Sequence, residues 1–153
     1  MRHWSSVAFL ALVLALLLPA ADADAQYFGR NRVQYEEYDF KTLETDHFVF
    51  HYYPAEETAV RDAARMAERW YERHTEVFLH RFDEKKPIIF YANDADFQQT
   101  NIGQRQPGPG TGGFTESIRE RVVMPFSASY GETSHVLGHE LVHSFQYDLA
   151  LNA

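Results

Sequence analysis

The stretch HFVFHYYPAEETAVRDAARMAERWYERHTEVFLH, residues 47–80, decides the fold class. Its first seven residues, His47 to Tyr53, alternate and are rich in β-formers, and Pro54 lacks the backbone donor that a continuing ladder needs. From about Glu56 to His80 the period changes. Ala59, Ala63, Met66, Ala67, Trp70, Tyr71, Val77 and Phe78 recur at three- and four-residue spacing, with Glu and Arg on the remaining positions. A strand running into a long amphipathic helix predicts a helix laid on a sheet.

Working outward, Pro87 to Ala92 is a compact apolar run suited to a buried strand, and Asn93-Asp94 can cap a short helical piece from Ala95 to Thr100. The glycines and prolines between Gly103 and Gly113 exclude regular structure and predict a loop. Phe114 to Ser117 and Arg121 to Pro125 read as the two strands of a hairpin, and Thr133 or Ser134 offers an N-cap for a helix running to about Leu149. The order strand, helix, strand, hairpin, helix predicts an α+β domain with a mixed sheet. Gln26 to Asp39 is polar and aromatic without clear periodicity and suggests a surface segment.

Residues 1–25 stand apart from this pattern. Arg2 precedes an apolar run from Val7 to Leu18, Pro19 interrupts it, and small residues follow in Ala21-Asp22-Ala23-Asp24-Ala25. That is the layout of a secretory signal, with cleavage expected after Ala25 or Ala23. Twelve apolar residues fall short of the roughly 20 that span a bilayer as a helix. The expectation is therefore an exported protein, periplasmic, outer-membrane-associated or secreted, with no stable membrane span. Residues 26–153 would form the mature part, one globular unit by its length and its hydrophobic and aromatic content.

Removing the leader takes Arg2, Asp22 and Asp24 from 14 basic and 22 acidic side chains, leaving 13 and 20 and a formal charge of −7. Such a balance argues against nucleic acid and anionic membranes as partners. Cysteine is absent, so disulfides, thiol nucleophiles and thiolate ligands are excluded, and any metal must be held by nitrogen and oxygen.

The last predicted helix contains His139-Glu140-Leu141-Val142-His143, the H-E-x-x-H pattern. Histidines four residues apart lie one above the other on a helix, so both imidazoles can reach one zinc ion at roughly 2.0 to 2.1 Å. Glu140 is rotated about 100° from His139, beside an ion rather than on it, where it can take a proton from zinc-bound water and pass it to the leaving amine. On a helical wheel Leu137, Leu141, Phe145 and Leu149 form an apolar stripe nearly opposite His139, Glu140 and His143, as for a helix that packs on a core and turns its other side to a cleft.

A catalytic zinc needs three protein ligands, and this sequence offers two. His135 lies eight residues before His143, about 12 Å along the axis, too far to share one ion and better suited to a structural role. Asp148 points away from the histidine stripe and Glu132 precedes the helix. The third ligand is expected beyond Ala153, so this chain alone should show little turnover. His47, His51, His74 and His80 are scattered over other elements and are assigned no role.

With these residues in hand, the sequence resembles the thermolysin-like zincins of the gluzincin type, and most of all the exported peptidase-MA-like domains of bacteria. The resemblance rests on Val136 to Tyr147, on the strand and long helix before it, and on the runs Gly113 to Glu116 and Arg121 to Phe126; it covers most of residues 40–150. It implies a zincin-like N-terminal subdomain acting on peptide or protein substrates, with Zn2+ on His139 and His143 and Glu140 as base and acid. It further implies a glutamate as third ligand on a following helix and an edge strand, here Gly113 to Ser117, that receives substrate backbone by strand addition. A downstream β-propeller often follows such domains. The alternative is a zincin-shaped binding or scaffold domain without catalysis.

Overall fold

A computed structural model describes residues 37–101 and 110–151. The expected signal sequence, residues 1–25, and most of the expected 103–113 loop lie outside the described residues.

The elements follow the order β1 (Lys41–Glu44), β2 (Phe48–Tyr52), a 3-10 turn (Pro54–Glu56), α1 (Glu57–Phe78), β3 (Lys86–Tyr91), α2 (Asp94–Phe97), β4 (Phe114–Glu116), β5 (Arg121–Pro125) and α3 (Tyr130–Leu151). The five strands form one sheet in the order β1-β2-β3-β5-β4. The three central strands are parallel, with Phe50 opposite Ile88 and Ile88 opposite Val122, while β1 and β4 are antiparallel to their neighbours. The mixed sheet of an α+β domain is therefore present. Parallel neighbours need a crossover, and α1 supplies it between β2 and β3.

The side-chain alternation of β2 sets the layers. Phe48, Phe50 and Tyr52 are buried under α1 and α3 together with Ile88, Phe90, Val122 and Met124. Ala63, Ala64 and Ala67 are the buried face of α1, and their small size lets the helix lie close to the sheet. Leu137, Leu141 and Phe145 are fully buried on α3, while Leu149 is only partly covered. On the opposite face of the sheet a smaller cluster joins Ile89, Tyr91, Phe97 and Val123 to Tyr38, Phe40, Tyr53 and Phe114.

Three features differ from the sequence reading. The strand β1 was not expected; it is short and mostly exposed, so it shows no apolar alternation to read. The cap of α3 is neither Thr133 nor Ser134. The helix begins about a turn earlier, where Ser129 Oγ accepts from the Glu132 backbone N–H at 3.2 Å; Ser129 and Glu132 stand in the three-residue spacing of a capping box. Thr133 is instead buried, its hydroxyl accepting from the Ser127 backbone N–H, and Ser134 accepts from Trp70 Nε1 at 3.2 Å. The short helix is Asp94–Phe97 rather than a piece extending to Thr100, with Asn93 capping it through the Asp96 N–H as expected. No helix among the described residues is long and apolar enough to cross a membrane.

Candidate metal and catalytic site

The two histidines of the motif emerge on successive turns of α3. Their ring centroids are 4.9 Å apart with the planes at 86°, and His139 is exposed while His143 is partly covered. His143 Nδ1 lies 3.1 Å from Gln146 Oε1, so its N–H donates there and the lone pair is left on Nε2. An imidazole so oriented is the usual state of a metal-bound histidine. Tyr147 stacks on the same ring at 6.2 Å and limits its rotation further.

Glu140 departs from the open stripe predicted for it. It is only 6% exposed, because the edge of the sheet closes over it. Strand β4 lies at that edge, so the segment expected to be an edge strand is one, at Phe114–Glu116. The Thr115 hydroxyl is 2.8 Å from the Glu140 carboxylate Oε2 and 2.9 Å from the Glu140 carbonyl oxygen, so its one proton is shared between them. Two residues back, on the same side of the strand, Gly113 has no side chain to spare: a Cβ there would stand 3.0 Å from Met124 Cβ, 3.3 Å from the Val123 carbonyl and 3.4 Å from Glu140 Cγ. The hairpin is closed at its far end by a 2.6 Å contact from Arg121 Nε to Glu116.

Behind the motif, α3 is fixed to α1. Trp70 covers Gly138, and His74 Nε2 donates to the Gly138 carbonyl at 2.9 Å. Toward the C-terminus of α3, Asp148 is 1% exposed and bonded to both Lys86 and His80. Lys86, itself 4% exposed, also pairs with Glu120 in the hairpin turn. Burial alone would push the Asp148 carboxyl up, but the hydrogen bonds from Lys86 and His80 outweigh it and hold the group below the usual carboxylate range.

The remaining candidates are thereby placed. Asp148 is on the packed side of α3, away from the histidines, and Glu132 is exposed in the first turn. His135 is exposed, and His47, His74 and His80 serve as hydrogen-bonded packing groups, His47 against Glu68 and Tyr71. Among the described residues no group of three or more His, Asp or Glu is arranged to hold an ion. The donor set at hand, two imidazoles with a carboxylate beside them and no thiolate, fits zinc as a partial set needing one more ligand.

The sequence reading missed the individual roles of Thr115, Gly113 and the Trp70–Gly138 contact. Period-two alternation would have put Gly113 and Thr115 on one side of a strand, but no local signal says that this side meets Glu140. A scan against family models, a search of curated proteins and a search of solved structures each found no match to this chain.

Proposed function

We propose that this chain carries the zinc-binding histidines and the general base of a metallopeptidase that hydrolyses peptide bonds, similar to the thermolysin-like gluzincins and to exported peptidase-MA-like domains. The observation that carries the reading is the pair of motif imidazoles at 4.9 Å on one helix, with the Glu140 carboxylate held one residue along from His139. Zinc, when bound there, lowers the pKa of a water and polarises the scissile carbonyl. His139 and His143 would hold the ion, Gln146 favours the Nδ1–H tautomer of His143, and Glu140 would take the water proton and return it to the leaving amine. The edge strand β4 offers backbone groups for an extended peptide substrate to join. Export is proposed from the leader-like residues 1–25.

One observation favours a second reading, a zincin-shaped binding or scaffold domain: the Glu140 carboxylate is buried and already satisfied by Thr115. The two readings part on one substitution. In this protein, Glu140→Gln should leave one zinc per chain and abolish casein cleavage. Zinc missing from the unaltered protein at neutral pH would sink the peptidase reading. Zinc retained without any cleavage by the unaltered protein would establish the scaffold.

A further inference from the structure

The hydroxyl of Thr115 meets two oxygens of one residue. With Glu140 Oε2 at 2.8 Å and Glu140 O at 2.9 Å, its one proton is shared between the carboxylate and the helix carbonyl of the same residue, tying the side chain to β4. Gly113 also lies near this side chain, where an added Cβ would stand 3.4 Å from Glu140 Cγ. Both contacts come from the same side of the chain entering and forming β4, the strand at the open edge of the sheet. A free glutamate side chain on a helix surface samples several rotamers, and the bond from Thr115 favours one of them.

We propose that Thr115 is the positioning residue for Glu140, and that through it the edge strand β4 sets where the base stands relative to the histidine pair. The proposal deepens the peptidase reading and rests on it for its kinetic consequence. A carboxylate held by a hydroxyl hydrogen bond is delivered in one geometry to the reacting water; without the bond, the productive geometry becomes one of several. Misplacement of a reacting group by about 1 Å costs on the order of 100-fold in rate, and a bond to a charged group corresponds to roughly 10- to 100-fold. Ground-state binding of peptide and metal does not involve this bond, so its loss should fall on kcat.

The test uses the zinc-loaded protein and two substitutions. Thr115→Val keeps the β-branched shape without the hydroxyl, and Thr115→Ser keeps the hydroxyl. Expected are a kcat lowered roughly 10- to 100-fold in Thr115→Val with KM and zinc affinity unchanged, and recovery to within about threefold in Thr115→Ser. Unaltered kcat in Thr115→Val overturns the proposal. Equal loss in both variants also overturns it, because strand packing rather than the hydroxyl would then be at fault. A crystal structure of metal-free Thr115→Val gives a readout independent of turnover: the Glu140 carboxylate should leave its place beside the Glu140 carbonyl, and its retention there refutes the positioning role. If the unaltered protein proves inactive, the peptidase reading fails, while this structural arm still decides what Thr115 does.

Discussion

Gly138→Ala sets two effects of opposite sign against each other. In an exposed helix interior, replacing glycine by alanine stabilises by about 1 kcal/mol, since the backbone has less freedom to lose. Gly138 sits inside α3 and, on propensity alone, the substitution should help. The added Cβ, however, would stand 2.5 Å from Trp70 Cε2 and 2.8 Å from both Cδ2 and Cζ2. Carbon atoms pack at about 3.5 to 4.0 Å, so the indole or one helix must retreat by about 1 Å. The ring is not free to do so: Nε1 is tied to Ser134 Oγ at 3.2 Å, His74 stacks on it at 5.4 Å while donating to the Gly138 carbonyl, and the Arg73 guanidinium lies 5.4 Å over its face. Overpacking costs about 1–3 kcal/mol, and a strained hydrogen bond adds about 1 kcal/mol. After the propensity gain is taken off, the net loss is about 2 kcal/mol, which lowers Tm by about 8 °C for a domain of this size. Thermal melts followed by circular dichroism read it directly. A Gly138→Ala protein that melts above the unaltered one refutes the reasoning. In a Trp70→Ala background the clash is gone and the same substitution should become stabilising by about 1 kcal/mol, a reversal of sign that a double-mutant cycle detects.

Lys86→Met leaves Asp148 buried without its ammonium partner and should cost about 3–5 kcal/mol in urea titrations at pH 7, most of it recovered in Lys86→Met/Asp148→Leu. Because the folded-state pKa of Asp148 is held below its unfolded value, its contribution is complete above the ordinary carboxylate range and is lost as pH falls through the depressed value. Without Lys86 burial pushes that carboxyl up, so the destabilisation by Lys86→Met should shrink as pH falls through the carboxylate range, and a difference as large in acid as at pH 7 would count against it. Glu68 resembles this case: burial would raise its pKa, but bonds from Thr45 and His47 lower it. His47 contributes both its backbone N–H, at 3.1 Å, and its Nδ1, at 2.6 Å. Glu68→Gln should destabilise by about 1 kcal/mol at pH 7, and the difference should shrink in acid; an unchanged melt at pH 7 would count against it. Gly113→Ala should reduce casein cleavage at least as much as it reduces stability while leaving zinc stoichiometry intact; loss of zinc would mean that β4 supports the histidines as well as Glu140.

How far the sequence could be read depended on whether a contact is local or comes from across the fold. The alternation of Phe48, Phe50 and Tyr52 and the spacing of Ala63, Ala67, Tyr71 along α1 are local, and strand, helix and mixed sheet follow from them. The capping spacing of Ser129 and Glu132 was equally local and legible, but Thr133 and Ser134 lay nearer the apolar stripe and drew the start of α3 inward. Strand β1 exposes nearly every side chain and is held by pairing with β2, so it leaves no pattern in its own four residues. Trp70 against Gly138, and Lys86 against Asp148, join residues more than sixty positions apart; each residue taken alone reads as an ordinary helix or strand position.

The histidine pair and its glutamate differ in the same way. The positions of His139 and His143 follow from helix geometry alone, since residues four apart share a face whatever surrounds them. A helical wheel puts Glu140 on that face too, in the open. In the fold it is buried, because the edge of the sheet brings Gly113 and Thr115 over it. The histidine pair therefore belongs to α3, whereas the carboxylate proposed as base belongs to α3 and β4 together. Perturbing the hairpin without touching α3 should separate the two properties, keeping zinc and losing turnover, and a hairpin variant that loses both in proportion would show that helix and edge strand do not act as separable parts.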